Sequence, residues 1–302
     1  MLFPHLPQEL KDLIMIHLDK DDILELSELC MSKYAWLRKK DSTLIQACKN
    51  ENIVGIKYHI QYENKDIALR YCSEYGHLDF VKQIVEHGAD IHVDNDAALR
   101  YSAEYGHLDV VRYLVGQGAD IHAEDDYALQ LSSMYGHLNI IQYFVEECNV
   151  DIHINGGYLL CISAGKGRLN VVQYLVECGI NIHAWDNSSI VRSAANGHLN
   201  IVKYFVKIGV PPGVNDNIVL RFSAVYGHIH VIRYLIEECG IPANASDNIA
   251  LQCSAEYGNL HVMKYLIRHG ADVHANKNAV FRLSIKHNHM DIIQYLIEKR
   301  LL

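Results

Sequence analysis

Between Asp96 and Asp125 the chain carries two short blocks in which apolar side chains recur at spacings of three and four. Leu99, Ser102 and Ala103 share one face of the first block, which predicts a helix running to Tyr105. Leu108, Val111, Leu114 and Val115 share one face of the second, which predicts a helix ending near Gly118. Gly106 separates the blocks, where a tight left-handed turn suits a residue without a β-carbon. Asp96 stands where an N-cap carboxylate would accept from the next turn's N–H groups. The same slot holds Asp66, Asp126, Asn187, Asn217, Asn248 and Asn278, and once Gly157. Asp120-Ile121-His122 and the polar residues after it read as an extended turn into the next cap. The unit is therefore helix, turn, helix, loop.

The unit repeats. Its turn glycine falls at Gly76, Gly106, Gly136, Gly167, Gly197, Gly227 and Gly258, at steps of 30 or 31 residues, and Asn288 continues the series. A fixed period in the range of roughly 20–50 residues is the signature of a solenoid, in which each repeat buries its apolar face only against its neighbours. Two repeats carry one extra residue, at Glu147-Cys148-Asn149-Val150 and Glu238-Cys239-Gly240-Ile241. Both are expected to lengthen the loop after the second helix, where extra length costs little. A degenerate first repeat is expected over Asp41, Leu44 and Glu51-Asn52-Ile53.

Gly106-His107-Leu108, Val110-Val111 and Gly118-Ala119-Asp120 make the unit resemble an ankyrin repeat. It departs from that family in being shorter than the usual period of about 33. The missing residues fall between His122 and Leu129, in the family's β-hairpin finger, and Tyr127-Ala128-Leu129-Gln130 stands in place of its Thr-Pro-Leu-His start. This short, tyrosine-rich form is similar to the ankyrin families expanded in giant DNA viruses. The resemblance implies an all-α ankyrin-repeat solenoid of helix-turn-helix repeats that binds a target protein in a concave groove.

The first forty residues do not repeat. Leu10, Leu13, Ile14 and Leu18 give one helix an apolar face, and Ile23, Leu26, Leu29 and Cys30 mark a second. Leu6-Pro7, Glu9-Leu10, Ile14, Leu18-Asp19, Ile23-Leu24, Leu26-Ser27 and Leu29-Cys30 resemble an F-box, with Leu29 where that family usually has Val. The resemblance implies docking of a Skp-type subunit of a cullin ubiquitin ligase through Leu6, Pro7, Leu10 and Ile14. The same side chains would alternatively cap the open edge of the first repeat. The expected organisation is a helical module over 1–40 and a repeat array over 41–302.

Composition narrows the function. The 302 residues carry a formal charge of −9, and the one basic run, Arg38-Lys39-Lys40, is too short for the basic face that nucleic acid requires. No nucleic-acid partner is expected. Eight cysteines fall in different repeats without a C-x-x-C pair, which argues against a disulfide framework or zinc site. The start lacks a signal-peptide pattern, and no apolar run reaches the roughly 20 residues of a membrane span. A monomer without cofactor is expected in a reducing cytoplasm, that of a host cell if the chain is viral.

The chemistry-bearing residues follow the repeat. His77, His107, His137, His198, His228 and His289 share the slot after the turn, and His92, His122, His153, His183 and His274 a loop slot. Neighbours in one column stand a repeat apart, too far to share a metal, so backbone hydrogen bonds are the expected role. Gly165-Lys166-Gly167-Arg168 lacks the Gly-Lys-Ser/Thr ending of a phosphate loop. No catalytic arrangement stands outside the repeat, and the chain is not expected to be an enzyme. Tyr113, Tyr143, Tyr174, Tyr204, Tyr234, Tyr265 and Tyr295 form a column in the second helices, expected to pack. Tyr75, Tyr105, Tyr135, Tyr226 and Tyr257 end the first helices, with Lys166, Asn196 and His287 in the same slot. By the ankyrin resemblance that slot borders the groove. Tyr75, Tyr105, Tyr135, Lys166, Asn196, Tyr226 and Tyr257 are therefore the expected target-binding residues, with Tyr75, Tyr105 and Tyr135 on one continuous face beside Glu74 and Glu104.

Overall fold

The computed structural model describes residues 47–48, 65–153 and 157–301, and all regular structure among them is helical. Odd-numbered elements are first helices and even-numbered ones second helices: α1 Lys65–Glu74, α2 Leu78–Glu86, α3 Val93–Tyr105, α4 Leu108–Gly116, α5 Ala123–Tyr135 and α6 Leu138–Gln142. The order continues with α7 Tyr158–Gly165, α8 Leu169–Glu177, α9 Ala184–Ala195, α10 Leu199–Lys207, α11 Val214–Val225 and α12 Ile229–Arg233. It ends with α13 Ala245–Glu256, α14 Leu260–Arg268, α15 Ala275–Lys286 and α16 Met290–Glu298. The helices fall into two compact units. One runs to Ser102 and takes in Asp109–Asp120; the other holds Ala103–Leu108 and continues from Ile121.

In the second unit the first helices α7, α9, α11, α13 and α15 pack side by side, and the second helices α8, α10, α12 and α14 form a row behind them. The core between the rows is the set of positions that the sequence pattern marks: Leu160, Ile190, Leu220 and Leu251 from the first helices, with Val171, Val172, Ile201, Val202, Val231 and Ile232 from the second, all buried. Ser132, Ser163, Ser193, Ser223, Ser254 and Ser284 form a fully buried column. Each is small enough for close helix packing and satisfies its hydroxyl within its own helix, as Ser223 does by donating to the Val219 carbonyl at 2.7 Å.

The turn glycines are left-handed, as the sequence predicts: φ is 86° at Gly106, 75° at Gly197 and 77° at Gly227, and Asn288 takes the same conformation at 58°. They close each first helix as a Schellman motif. The His228 amide, for instance, donates to the Ser223 carbonyl at 2.8 Å. The histidine column then fastens one repeat to the next. His77 Nε2 lies 2.6 Å from the Cys48 carbonyl, His137 Nε2 2.7 Å from that of Glu104, and His228 Nε2 2.9 Å from that of Ala195. Where histidine is absent the bond persists: Arg168 Nε donates to Met134 at 3.1 Å, and Asn259 Nδ2 to Ala224 at 2.8 Å and Val225 at 2.7 Å. In the first unit the buried Cys48 and Cys72 sulfurs lie 3.6 Å apart. That hydrogen bond and burial push the Cys72 thiol pKa up.

Two expectations are corrected. The Asp96 slot is not an N-cap. Asp94, Asn95 and Asp96 form a left-handed turn, with φ of 53°, 56° and 58°, before the right-handed part of α3 begins. The same turn opens α5, α9, α11, α13 and α15, and all but Glu124, Trp185, Ser246 and Lys277 among its residues are Asp or Asn. Those two types tolerate the left-handed region best. A cap side chain needs an extended backbone, and the left-handed one sends it to the following loop instead. Asp96 Oδ1 accepts from the Asp120 amide at 3.0 Å and Asn248 Oδ1 from Asp272 at 2.7 Å; Asp66 Oδ1 accepts from Asp90 at 2.9 Å without the left-handed turn.

The two extra residues are not in loops. They are taken up inside the second helices as π-turns, Tyr143–Glu147 after α6 and Tyr234–Glu238 after α12. In regular repeats the residue after the second glycine is anchored five positions back, as in Val210 to Phe205 at 3.0 Å. In the longer repeats Val150 bonds to Phe144 and Ile241 to Leu235, six back, both at 3.0 Å. Val150 and Ile241 are buried like Val210. The buried anchor keeps its place, and the helix upstream absorbs the surplus residue.

Candidate protein-binding face

The second helices spend their polar groups on one another. Tyr174 donates to Glu146 Oε1 at 3.0 Å and Tyr265 to Glu237 Oε1 at 2.7 Å, each across to the preceding repeat's π-turn. Lys203 Nζ lies 4.8 Å from the centre of the Tyr234 ring and Lys264 Nζ 4.8 Å from that of Tyr295. Burial and the bond to Glu237 push the Tyr265 pKa up to about 12, and burial with the Cys239 thiol does the same for Tyr234. This column packs, as the sequence predicts.

The first-helix column differs. In the second unit the closing tyrosines stand out into solvent: Tyr105 is 51% exposed, Tyr135 43%, Tyr226 59% and Tyr257 56%. The left-handed glycine ends the packing face one residue later, so this slot stands at its border. Tyr226 stacks on Phe222 at 6.4 Å, which fixes its ring while leaving one face open. Interaction with the Glu104 carboxylate raises the Tyr135 pKa. Tyr75 belongs to the other unit and is half-buried, stacked at 6.4 Å on His77. Lys166 and Asn196 are exposed in the same slot of the middle repeats. Leu6, Pro7, Leu10 and Ile14 lie outside the described residues.

Two features of the first helices are not apparent from the repeat pattern. Trp185 occupies a left-handed position, φ 49°, that other repeats give to small or polar residues. It is 49% exposed, and its ring lies 5.7 Å from that of Tyr158. The signal was a lone bulky residue in a polar loop. Gly165 stands where other repeats have Glu104 or Glu256. A β-carbon there would lie 3.5 Å from Arg192 Cβ, 3.7 Å from Arg192 Cδ and 3.9 Å from Asn196 Nδ2. Arg192 and Asn196 thus lie against the helix end that Lys166 follows, at distances that a β-carbon would meet as ordinary contact.

Among the described residues no group of three His, Cys, Asp or Glu is placed to hold a metal ion, and no helix is long and apolar enough to cross a membrane. What the face offers is a row of exposed aromatic rings, hydrogen-bonding edges and a cationic middle, the groups that dominate protein–protein contacts. The fold and the face define a helical-repeat binding scaffold. The family profile for ankyrin repeats matches three times, over residues 28–125, 99–186 and 190–277, and the chain belongs to the ankyrin-repeat family. No curated protein matches the chain.

Proposed function

We propose that the chain is a non-enzymatic adaptor that holds a target protein against the exposed ends of its first helices. The carrying observation is the row of tyrosines that stand about half exposed beside a fully buried core. Aromatic side chains with one polar end are efficient interface anchors, because they bring large contact area at small entropy cost. Tyr105, Tyr135, Lys166, Asn196, Tyr226 and Tyr257 form the contact in the second unit, and Tyr75 holds the equivalent slot of the first. Proteins captured from infected or native cells by the wild type should be lost by Tyr135→Ala with Tyr226→Ala. The melting temperature should stay within a degree or two, since exposed side chains carry little stability. A sharp fall in melting temperature would assign the tyrosines to the core instead.

The F-box-like stretch supports a link to ubiquitin ligation: Leu6, Pro7, Leu10 and Ile14 dock a Skp-type subunit, and the repeats present the target to it. Ubiquitin transfer is then the work of other subunits, in the cytoplasm of the cell where the protein acts. The giant-virus flavour of the repeats supports a host cell as that place. The competing reading is a plain scaffold whose N-terminal helices only cap the array. Pulldown with a Skp-type protein separates them: Leu6→Ala with Leu10→Ala should abolish capture and leave the melt unchanged. Failure of the unmutated chain to capture it leaves the scaffold.

A further inference from the structure

We propose that the middle of the tyrosine-lined edge recognises an acidic segment of the target protein. Lys166, Arg168, Arg192 and the Asn196 amide receive carboxylates, and Tyr105 with Tyr135 on one side and Tyr226 with Tyr257 on the other seat apolar anchors. The inference rests on the reading that this edge is the binding face, and it gives the partner its chemistry.

The cationic group is assembled by the fold. Arg192 and, at the end of α9, Asn196 lie over the end of α7 beside Gly165, where Lys166 follows directly in sequence; Asn196 Nδ2 donates one hydrogen to the Arg192 carbonyl at 2.8 Å and keeps the other. Arg168 spends Nε on the Met134 carbonyl at 3.1 Å, one of the five donors of a guanidinium. No ion pair among the described residues engages Lys166, Arg168 or Arg192. This is unexpected in a chain of net charge −9. The carboxylates that accompany the edge, Glu104 and Glu256, lie at the two aromatic ends and not here. Charge along the edge therefore runs acidic, basic, acidic.

The donor set selects carboxylate over phosphate. A phosphate loop offers converging backbone amides. Here the amides of Lys166, Gly167, Arg168 and Leu169 are all spent within the turn, on Ile162, Ala164, Ser163 and Gly167. Only side-chain donors remain, and they are spread over two neighbouring helices rather than aimed at one point. Arginine forks and a lysine so spread suit a run of Asp or Glu side chains. Tyr135 and Tyr226 are separated by three helix-to-helix steps of about 8–10 Å each. An extended chain of about 7–9 residues spans that distance.

A library of random 16-residue peptides displayed on phage and panned against the full chain tests this, followed by fluorescence anisotropy of the best enriched peptide. Enriched sequences should carry Asp or Glu between apolar residues. Binding should weaken about tenfold or more for Lys166→Glu with Arg192→Glu, weaken less for the paired Gln variants, and fall as salt rises. Tyr135→Ala with Tyr226→Ala should also weaken it. Neutral or basic peptides that depend on the tyrosines but not on Lys166 and Arg192 would overturn the inference and leave the binding face standing. Peptides indifferent to both pairs, or no enrichment at all, would remove the face as well. A phosphoserine in place of the central acid that binds more than about tenfold tighter would overturn the assignment to carboxylate.

Discussion

At the scale of single residues, the turn glycines do two jobs that can be separated. Gly197 has φ 75° and lies under the next repeat's histidine, whose Nδ1 would be 2.6 Å from an added β-carbon. Gly209 has φ 104° with nothing within 4 Å of the same position. Gly209→Ala should cost only the conformational term, about 1–2 kcal/mol. Gly197→Ala should cost that plus displacement of His228, and urea titrations should show the larger loss. In a His228→Ala background the excess at position 197 should vanish; equal costs in both backgrounds would mean the ring does not press on the glycine. His228→Asn should be milder than His228→Ala, because Asn259 already makes the equivalent bonds to Ala224 and Val225. Such a bond contributes about 1 kcal/mol. The glycines and the backbone bonds of the histidines after the turn were readable from the sequence, since a φ-permissive residue and a polar ring at a fixed period leave few other uses; the loop histidines instead bond a side chain four residues on, as His122 Nδ1 does Asp126 Oδ1 at 2.6 Å and His183 Nδ1 does Asn187 Oδ1 at 2.7 Å.

At the scale of elements, the legible and the hidden divide for a physical reason. Apolar spacing located both helices of each described repeat, because burial of one face is what that spacing encodes; Asp41, Leu44 and Ile53 of the expected degenerate first repeat lie outside the described residues. The left-handed turns were hidden: Asp and Asn serve equally as N-caps and as left-handed residues, and only the backbone distinguishes Asp96 bonded to Asp120 from Asp96 capping α3. The π-turns were hidden because counting residues shows that one is extra and not where it goes. They carry their own test. Burial first, and then the bond to Glu237, hold the Tyr265 pKa near 12, above the ordinary value of about 10. The folded state keeps its proton longer than the unfolded one, so this tyrosine's stabilising effect is complete below pH of about 10 and disappears as pH rises through about 12. Ultraviolet titration of Glu237→Ala should show one tyrosine ionising at lower pH than in the wild type, with the burial-driven part of the shift retained. An unchanged titration curve would show that the Glu237 bond is not formed in solution.

At the scale of the whole molecule, the sequence revealed the array and the class of partner, because repetition and exposed aromatics are compositional facts. It did not reveal the cationic middle of the edge, since only the packing of α9 beside α7 sets Arg192 next to Gly165, which Lys166 follows in sequence. With a net charge of −9, the protein should pass unretained through immobilised duplex DNA at physiological salt; retention would point to a basic surface larger than the cluster of Lys166, Arg168 and Arg192. The π-turns have a consequence at this scale. Repeats of 30 and 31 residues keep the same phase in space, because the buried residue after each second helix marks the beat and the helix before it takes up the slack. Chain length and spatial rhythm are thereby uncoupled. One residue inserted after Tyr204 in α10 should be absorbed as at Tyr143 and Tyr234, with folding preserved. The same insertion after Ser193 in α9, which packs against the first helices on both sides far more closely than α10 does against its own neighbours in the second row, has no slack to draw on and should break the beat. Genes that grow by copying repeats of unequal length could drift in the first place and not in the second.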